Sequence, residues 1–578
     1  MSKSGDQIDT TSDDGDHVTP PTSYEPDELP RQFSLFSTLA FGFSMTNSWL
    51  GYSATFITPL LLGGSPTVFF GLLAASVACC FISKITIPGS CPKGLLTRHH
   101  FLAAGLAELA SAYPSSGGQY HFAYMVTSPK YRALVAFVMG WLSVVAWALT
   151  SASTALVCAQ MIGSLAGIYN PSYIGQAWQT WMIYVLLVLI ATTIVCLLPA
   201  ALPRAEMVMF VSSFLGFVAS FIAVLATRKH TQSAKTVFVD FENNSGWSDS
   251  TSFIIGLGTC MYAYLAIDGA CHIAEELPNP RSDVPRAMGL TMLIGMTTVI
   301  PWTLVFLFSI TDVDDVTSSS IPVYTIYLQA TQSQSAATVL TVWILFVYFG
   351  ALVSCIVTTG RLAYAFARDG GLPYSTFFAR INSKHQAPVN ATGACAGVII
   401  LYGLIYIASV TAFNSFISMS ILSLNLTYAL PQAILLFRGR EHILPKRPFD
   451  LGRHLGPICN AFSILWVVFI TILFCFPTSI PTTTVSMNYV SVVITGISLL
   501  IMVSWWGGKR KTFSGLIERA KVEVISSDLI PGRLDSETNP TNPVPYDLVL
   551  YHPVTFKLFV TAEVFNGQNG CEKWITDV

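Results

Sequence analysis

Apolar blocks of twenty or more residues recur along the middle of this chain, and few charges interrupt them. An α-helix needs about 20 apolar residues to cross a hydrocarbon core about 30 Å thick. Charged residues make up 11% of the chain and hydrophobic residues 52%, whereas a soluble domain carries about 25% charged residues. The blocks therefore predict an all-α integral membrane protein and exclude a soluble globular one.

Eleven blocks are long enough to span a bilayer alone, and Pro, Gly, Asn or charged residues bound each of them. They lie near 35–59, 133–162, 180–201, 206–227, 253–274, 287–310, 336–366, 389–410, 413–437, 457–477 and 487–506. Two shorter apolar pieces, 67–82 and 101–112, would form a twelfth helix if they were joined. The prediction is therefore a bundle of twelve transmembrane helices.

Lysine and arginine concentrate in alternate loops, and short cytoplasmic loops favour these residues. One set of loops holds only Arg228, Lys229 and Lys235, whereas the other set is rich in both residue types. Both termini are therefore predicted to be cytoplasmic. Arg361 and Arg368, near the inner end of the eighth span, are interpreted as cytoplasmic anchors.

Three segments differ from the bundle in composition. Residues 1–32 are acidic and rich in Ser, Thr and Pro, and they predict a disordered cytoplasmic tail. Residues 507–578 predict a cytoplasmic C-terminal tail, which leaves a membrane domain over 33–506. The stretch Ser83–His100 interrupts helix 2 with three basic residues and two prolines, and a charge at the bilayer centre costs about 3 kcal/mol.

This atypical insert at 83–100 has two readings. It is either a loop that splits the second helix or extra coding sequence, such as an unremoved intron. We favour the second, because its removal leaves one uninterrupted span. The pair His99–His100 has no further ligands at suitable spacing, so no metal site is predicted.

Polar residues inside two spans mark a candidate binding site, because such residues are costly in a bilayer. They are Asn47, Ser48, Trp49 and Gly51 in the first span, and Asp268, Gly269 and His272 in the sixth. Small residues in a span commonly serve helix packing. Two such segments five spans apart, however, match an inverted repeat of five helices, whose broken helices bind a solute at the repeat interface.

Asp268 allows two interpretations that the sequence leaves open. It lies four residues before His272, so the two side chains can pair on one helix face. Alternatively, it is a counter-charge for a cationic solute or a proton-carrying site. A cation over an aromatic face gains about 0.5–2 kcal/mol, and the candidate walls for an ammonium group are Trp49, Trp147, Tyr262 and Tyr264.

Two adjacent carboxylates end the sixth span on the predicted inner side. Glu275 and Glu276 lie close in sequence to Arg281 and Arg286, which predicts an inner gate or a loop salt-bridge cluster. The predicted gating set is His272, Glu275 and Glu276.

No enzyme motif of the GxSxG, P-loop or HExxH kind occurs in the chain. The chain is therefore predicted not to be an enzyme, to need no cofactor and to depend on an ion gradient instead of ATP. The net charge of −2 gives no reason to expect nucleic acid as a partner.

Three longer motifs resemble those of one family. GLAELASAYPSSGGQY at 105–120, DGACHIAEELPNP at 268–280 and FARDGGLP at 366–373 together resemble fungal permeases of the amino acid/choline transporter family, within the amino acid–polyamine–organocation superfamily. The similarity runs from about Phe33 to Trp506, and the combination of motifs is specific. The 268–280 version looks most like choline permeases.

The resemblance implies twelve helices, arranged as a five-plus-five inverted repeat with two further helices. It also implies gradient-coupled uptake of choline, γ-aminobutyrate or another small nitrogenous solute at the plasma membrane. By position, the broken, substrate-binding segments would be Asn47–Gly51 and Ala266–Gly269. The second segment includes Ile267. The fifth span lacks the lysine that replaces a sodium ion in some proton-coupled relatives, so the coupling ion, with H⁺ as a candidate, stays open.

The interrupted second helix and the long soluble tail favour a different function. The alternative to a carrier is a non-transporting nutrient sensor or an inactive permease built on the same fold.

Overall fold

The computed structural model describes residues 29–80, 102–483 and 487–513, and helix dominates these ranges, in which no β-strand occurs. The α-helices are α1 (Leu35–Thr46), α2 (Ser48–Thr55), α3 (Ile57–Cys80), α4 (Leu102–Ala112), α5 (Gln119–Val126), α6 (Arg132–Tyr169), α7 (Ala177–Leu197), α8 (Leu202–Thr227), α9 (Ala234–Phe238), α10 (Asp249–Cys260), α11 (Pro280–Ser309), α12 (Val313–Ser318), α13 (Pro322–Thr331), α14 (Gln334–Arg368), α15 (Ser375–Phe378), α16 (Val389–Ala408), α17 (Val410–Arg438), α18 (Arg440–Ile443), α19 (Gly452–Leu473), α20 (Val490–Ser504) and α21 (Arg510–Thr512). Short 3-10 helices cover Pro199–Ala201, Met261–Tyr264 and Gly269–Glu276, and a π-helical turn covers Trp505–Lys509.

Two glycines separate the first two spans. α3 contains Gly63 (φ −175°, ψ 25°) and Gly64 (φ 68°, ψ −166°), where the backbone leaves the helical conformation. α1, α2 and the start of α3 therefore form the first span, and the rest of α3 belongs with α4 to the second. Within the described ranges, eleven stretches, α3 among them, are long and apolar enough to cross a membrane. With α1 and α2 counted as the start of a separate first span, the total is twelve, and the predicted all-α membrane bundle is confirmed.

The first and sixth spans are both interrupted. α1 ends at Asn47 (φ 23°, ψ 63°), and α2 begins directly after it. In the sixth span, α10 passes through a 3-10 turn into extended backbone at Leu265, and Ala266 then adopts a left-handed conformation with φ 66°. Non-helical backbone at membrane depth is tolerated where protein buries it or where it lines a cavity.

The interrupted sixth span lies at the centre of the bundle. Within its most apolar stretch, 78% of the residues are buried, compared with 28% for α7 and 17% for the last span. Leu186 on α7, Leu401 on α16 and Leu500 on α20 expose more than half of their surface. Lipid tails are as apolar as leucine, so such faces suit contact with a bilayer.

Three predicted segments lie wholly or mainly outside the described residues. They are the N-terminal tail up to residue 28, the insert Ser83–His100 and the C-terminal tail from residue 514. Of the predicted N-terminal tail, residues 29–32 are described, and directly after them the backbone N–H of Phe33 donates to the carbonyl oxygen of Glu276 at 3.2 Å. Residues 507–513 continue from α20.

Candidate functional site

The two interrupted spans meet at their breaks. Thr46 Oγ1 donates to the carbonyl oxygen of Ala266 at 3.3 Å, and both residues line a buried cavity of about 30 Å³. On this measure, the space open to the centre of a water molecule, about 10–15 Å³ holds one water. The structure is therefore a closed state, in which the cavity has to widen before an organic solute fits.

Four elements supply the walls of this central cavity. The lining residues are Met45, Thr46, Asn47, Leu50 and Gly51 of the first span, Thr150 and Thr154 of α6, Tyr262, Leu265 and Ala266 of the sixth span, and Tyr348, Ala351 and Cys355 of α14. None of these residue types carries a formal charge at neutral pH. Tyr262 OH lies 3.4 Å from Ser153 Oγ, and Tyr348 OH donates to the carbonyl oxygen of Leu50 at 2.8 Å, so the protein holds both rings in place.

Four of the residues singled out in the sequence lie on the cavity wall: Asn47, Gly51, Tyr262 and Ala266. Two of them are also the residues with positive φ at the breaks. The breaks lie within the segments that the family resemblance implied. The break in the first span is shorter than the expected segment Asn47–Gly51, because the helix resumes at Ser48.

Two aromatic candidates pack behind the wall. Trp49 donates from Nε1 to Ser213 Oγ at 3.2 Å, and its ring centroid lies 6.0 Å from that of Trp302. Tyr264 OH is hydrogen-bonded to Ser76 Oγ. In this closed state both rings connect spans and do not line the cavity.

The remaining candidates in the broken segments are also buried. The Ser48 hydroxyl occupies the space where a side chain at Gly295 would project, and Gly269 leaves room in the same way for the end of Met45. Ile267 is 3% exposed. These residues therefore pack the two broken spans against their neighbours.

Asp268 is the centre of a buried hydrogen-bond cluster. Its Oδ2 accepts from Gln119 Nε2 at 2.6 Å and from Trp147 Nε1 at 3.1 Å, and it lies 3.0 Å from His272 Nε2. Its Oδ1 accepts from Tyr428 OH at 2.5 Å. Four separate elements thus converge on one carboxyl group, two residues after Ala266.

The partners of His272 fix how many protons the pair holds. Its Nδ1 lies 3.0 Å from the carbonyl oxygen of Ser116, which only accepts, so Nδ1 carries a hydrogen. The contact between Nε2 and Asp268 then needs one further proton, which makes the pair either an ion pair or two neutral groups. The i,i+4 contact expected from the spacing is present, whereas no sequence pattern predicted Tyr428 as a partner.

A second charged cluster lies at the end of the sixth span that the charge pattern predicts to be the inner one. Glu275 accepts two hydrogen bonds from Arg368, at 2.8 and 2.9 Å. Glu276 accepts from Arg361 Nε at 2.9 Å, and both side chains are fully buried. Gln32 donates to the same carboxylate at 2.7 Å. This inner cluster joins the start of the chain, the sixth span and α14.

The basic partners of these two glutamates differ from those expected. Arg281 and Arg286 are close in sequence, but Arg286 instead lies 3.9 Å from Asp283 on its own helix. The partners are Arg361 and Arg368, so the expected salt bridges within the loop were wrong. The inner gate and the cytoplasmic anchoring of these two arginines remain predictions. The reason is tertiary packing: α14 packs against the end of the sixth span, whereas Arg281 and Arg286 lie in the first turns of α11.

Comparison with known sequences identifies the family. The family model described as Amino acid permease matches residues 99–499, well over half of the chain. This chain belongs to the amino acid permease family. The match begins at the end of the insert, so residues 83–98 lie before the matched range.

Individual relatives agree with this assignment. The permease is 33% identical over 495 residues to the choline transporter of Saccharomyces cerevisiae, which covers 85% of this chain and 84% of that protein. It is 28% identical to the swainsonine transporter swnT of Arthroderma benhamiae, over 83% of this chain and 91% of that protein. It is 27% identical to the amino-acid permease BAT1 of Arabidopsis thaliana, over 85% of this chain and 94% of that protein. The permease is therefore a multi-pass membrane transporter and not an enzyme.

Glu108, within the 105–120 motif of the permease, anchors an inner loop. Its carboxylate is ion-paired with Arg440 and with Arg447, the latter at 2.6 Å, and it accepts from the backbone N–H of Leu451 at 3.1 Å. These residues connect the second span to the chain between α17 and α19. In the sequence, Glu108 is noticeable only as part of the 105–120 motif.

Glu206 is a further buried carboxylate that the sequence analysis passed over. It lies one turn into α8, is 2% exposed, and accepts from Ser354 Oγ at 2.8 Å through Oε1. The signal was available, because an acidic residue inside a membrane span is a functional candidate by default.

Proposed function

We propose that this permease is a secondary active transporter that takes up choline, or an amino acid such as γ-aminobutyrate, across the plasma membrane. The observation that carries the proposal is the neutral cavity between two interrupted spans. Both termini lie in the cytoplasm under this proposal, the bundle is embedded in the lipid bilayer, and an ion gradient, with H⁺ as the candidate ion, drives uptake.

The chemistry of the central cavity suits a small organic cation. Tyr262 and Tyr348 supply aromatic surface, which gains about 0.5–2 kcal/mol with a desolvated ammonium group. The breaks at Asn47 and Ala266 free backbone carbonyl and N–H groups from helical hydrogen bonds, and such groups bind solutes in transporters with broken helices. The similarity to a protein named as a choline transporter favours choline, and the amino-acid permeases among the relatives keep amino acids open.

The predicted binding residues form two layers in this proposal. The first layer lines the cavity and contains Asn47, Gly51, Tyr262 and Ala266. The second layer supports it and contains Ser48, Trp49, Tyr264, Ile267, Asp268 and Gly269. Asp268 holds the broken segment in place and contributes negative charge behind Ala266, so it acts without direct contact in the closed state.

The inner cluster is the proposed cytoplasmic gate. Glu275 and Glu276 hold α14 through Arg368 and Arg361, and His272 connects the same segment to Asp268. Opening the cavity to the cytoplasm requires these contacts to separate. The ion pairs therefore stabilise the closed state in preference to the inward-open state.

Uptake by cells tests the proposed function. Cells without their own choline or γ-aminobutyrate uptake would express the full chain and receive each radiolabelled solute. We expect saturable uptake of at least one of them, which falls when the ion gradients are collapsed. Binding of a solute to the purified protein without uptake would instead indicate a sensor.

A further inference from the structure

Glu206 differs from the other carboxylates buried in the spans. Glu108, Asp268 and Glu276 each lie within 4.0 Å of an arginine or histidine nitrogen, and the partly exposed Glu275 does so as well. Glu206 forms no ion pair with any of the residues that the structure describes. Arg204, the nearest basic residue along α8, is exposed.

The surroundings of Glu206 are polar but uncharged. Ser44 of α1 faces the carboxyl group, and Ser354 of α14 donates to Oε1 at 2.8 Å. Neither Glu206 Oε2 nor Ser44 Oγ has a hydrogen-bond partner within the described ranges. The thiol of Cys355 on α14 is the titratable group that faces Glu206 from a neighbouring element. α8 also packs against α11 and α13, and neither contributes an ion pair to this carboxyl group within the described residues.

An isolated carboxylate that leaves water must be compensated by a cation or by a proton. A metal cation needs several oxygen ligands, whereas the side-chain oxygens found to face this point among the described residues are those of Glu206, Ser44 and Ser354. The Ser354 hydroxyl is already directed at Oε1 and at the carbonyl oxygen of Gly350. The unpartnered Oε2 is therefore suited to carry a proton.

The position of Glu206 connects it to the central cavity. Ser44 and Ser354 each immediately precede a residue on the cavity wall, Met45 and Cys355. A change in hydrogen bonding at Glu206 therefore acts on α1 and α14 next to the cavity. A site that links two elements in this way allows proton binding and solute binding to influence each other.

We propose that Glu206 is the proton-binding site that couples this permease to a proton gradient. The inference rests on the proposed function and adds the residue and the ion. Oε2 receives one proton from the outer side with each solute molecule and releases it to the cytoplasm, so only an O–H bond is made and broken.

Glu206→Gln separates coupling from transport, because it keeps the shape of the side chain and removes the titratable group. Purified wild type, Glu206→Gln and Glu441→Gln would be reconstituted in liposomes, with Glu441 as an exposed control carboxylate. Counterflow of choline or γ-aminobutyrate measures solute exchange without a gradient, and accumulation under an imposed proton gradient measures coupling. We expect Glu206→Gln to retain counterflow within about twofold and to lose at least tenfold of the proton-driven accumulation, whereas Glu441→Gln behaves as wild type.

The results that would overturn this inference differ from the result that would count against the proposed function. Proton-driven accumulation by Glu206→Gln at the wild-type level would overturn the inference, and so would wild-type accumulation that responds only to sodium. Failure of wild type to show counterflow with either solute would instead count against the proposed function.

Chemical labelling covers the case in which Glu206→Gln does not fold. A hydrophobic carbodiimide reacts with protonated carboxyl groups in apolar surroundings. We expect it to label Glu206 of the wild type at pH 6 and much less at pH 9, as measured by peptide mass. The absence of labelling at both pH values would overturn the inference.

Discussion

At the scale of single residues, Asp268 is the most connected group of the site. Three donors from α5, α6 and α17 converge on its two oxygens, and the His272 ring of the same span makes a fourth contact, at 2.5 to 3.1 Å. Removing one partner of a buried, hydrogen-bonded charge pair costs about 3–5 kcal/mol. The integrity of the broken sixth span therefore depends on this carboxylate.

Asp268→Asn should lower stability by about 3 kcal/mol and abolish uptake, because an amide donor then faces groups that also donate. Thermal unfolding of the purified protein and solute uptake measure the two effects. Asp240→Asn is the control, since Asp240 pairs with Lys235 at a partly exposed outer position. Undiminished uptake by Asp268→Asn would show that the carboxylate has no essential role.

His121 predicts a pH dependence at the inner surface. It lies in α5, outside the membrane spans, and burial lowers its pKa to about 4, even though Glu275 acts in the opposite direction. In the unfolded chain its pKa is about 6.5. Between these values the unfolded state binds more protons than the folded state, so stability falls as the pH falls.

The free energy of unfolding should fall by about 2 kcal/mol between pH 7 and pH 5 because of His121. His121→Gln should remove this part of the pH dependence, whereas His454→Gln, at an exposed position, should keep it. Melting temperatures of the three proteins at several pH values measure the difference. Equal pH dependence in wild type and His121→Gln would contradict the prediction.

Local sequence predicted only the local contacts of these residues. The pairing of Asp268 with His272 follows from their i,i+4 spacing. The contacts to Gln119 and Tyr428 join residues 149 and 160 positions apart, and only the packing of the spans brings them together. Glu206 was predictable as a candidate from its residue type alone. That no basic side chain among the described residues forms an ion pair with it was not predictable.

At the scale of elements, the inner cluster is the proposed gate of the cavity. Glu275 accepts from Arg368 twice and also from the backbone N–H of Ser116 at 3.2 Å. Hydrogen bonds to charged groups are worth about 1.5–3 kcal/mol each. The loss of one therefore shifts the balance between closed and inward-open states by about tenfold or more.

Glu275→Gln should increase labelling of Cys355 by a thiol reagent applied from the cytoplasmic side about tenfold, because Cys355 lines the cavity. Peptide mass measures the labelling at this one cysteine. Glu441→Gln removes an exposed contact to Arg453 at 3.5 Å and should leave the labelling unchanged. If Glu275→Gln also left it unchanged, the inner cluster would not be the gate.

The positions of the breaks followed from small and polar residues in otherwise apolar spans. The partners of the inner cluster did not follow from sequence, because Arg361 and Arg368 are more than 80 residues from their glutamates. Charge pattern places an arginine on one side of the membrane, but it does not say which span it meets there.

At the scale of the whole molecule, hydropathy alone predicted the fold class and the twelve spans. The length and apolar character of a transmembrane helix are set by the bilayer, so they are readable without tertiary information. The inverted repeat remains a prediction from the family resemblance. The insert Ser83–His100 lies outside the described residues. The proposed transport is a property of the full chain, which includes this insert.

The central claim is that the solute passes through the cavity between the first and sixth spans. Gly51 lines this cavity, and a Cβ there would lie no closer than 3.7 Å to its neighbours, whereas Gly397 has no neighbour within 4 Å of such an atom. Gly51→Leu therefore fills a cavity of about 30 Å³, and Gly397→Leu adds the same side chain in open space.

The most direct measurement is counterflow of choline or γ-aminobutyrate in liposomes containing wild type, Gly51→Leu or Gly397→Leu. We expect counterflow by wild type and Gly397→Leu, and a counterflow rate at least tenfold lower in Gly51→Leu. Thermal unfolding curves should show that all three proteins are folded. Counterflow by Gly51→Leu at the wild-type rate would contradict the central claim.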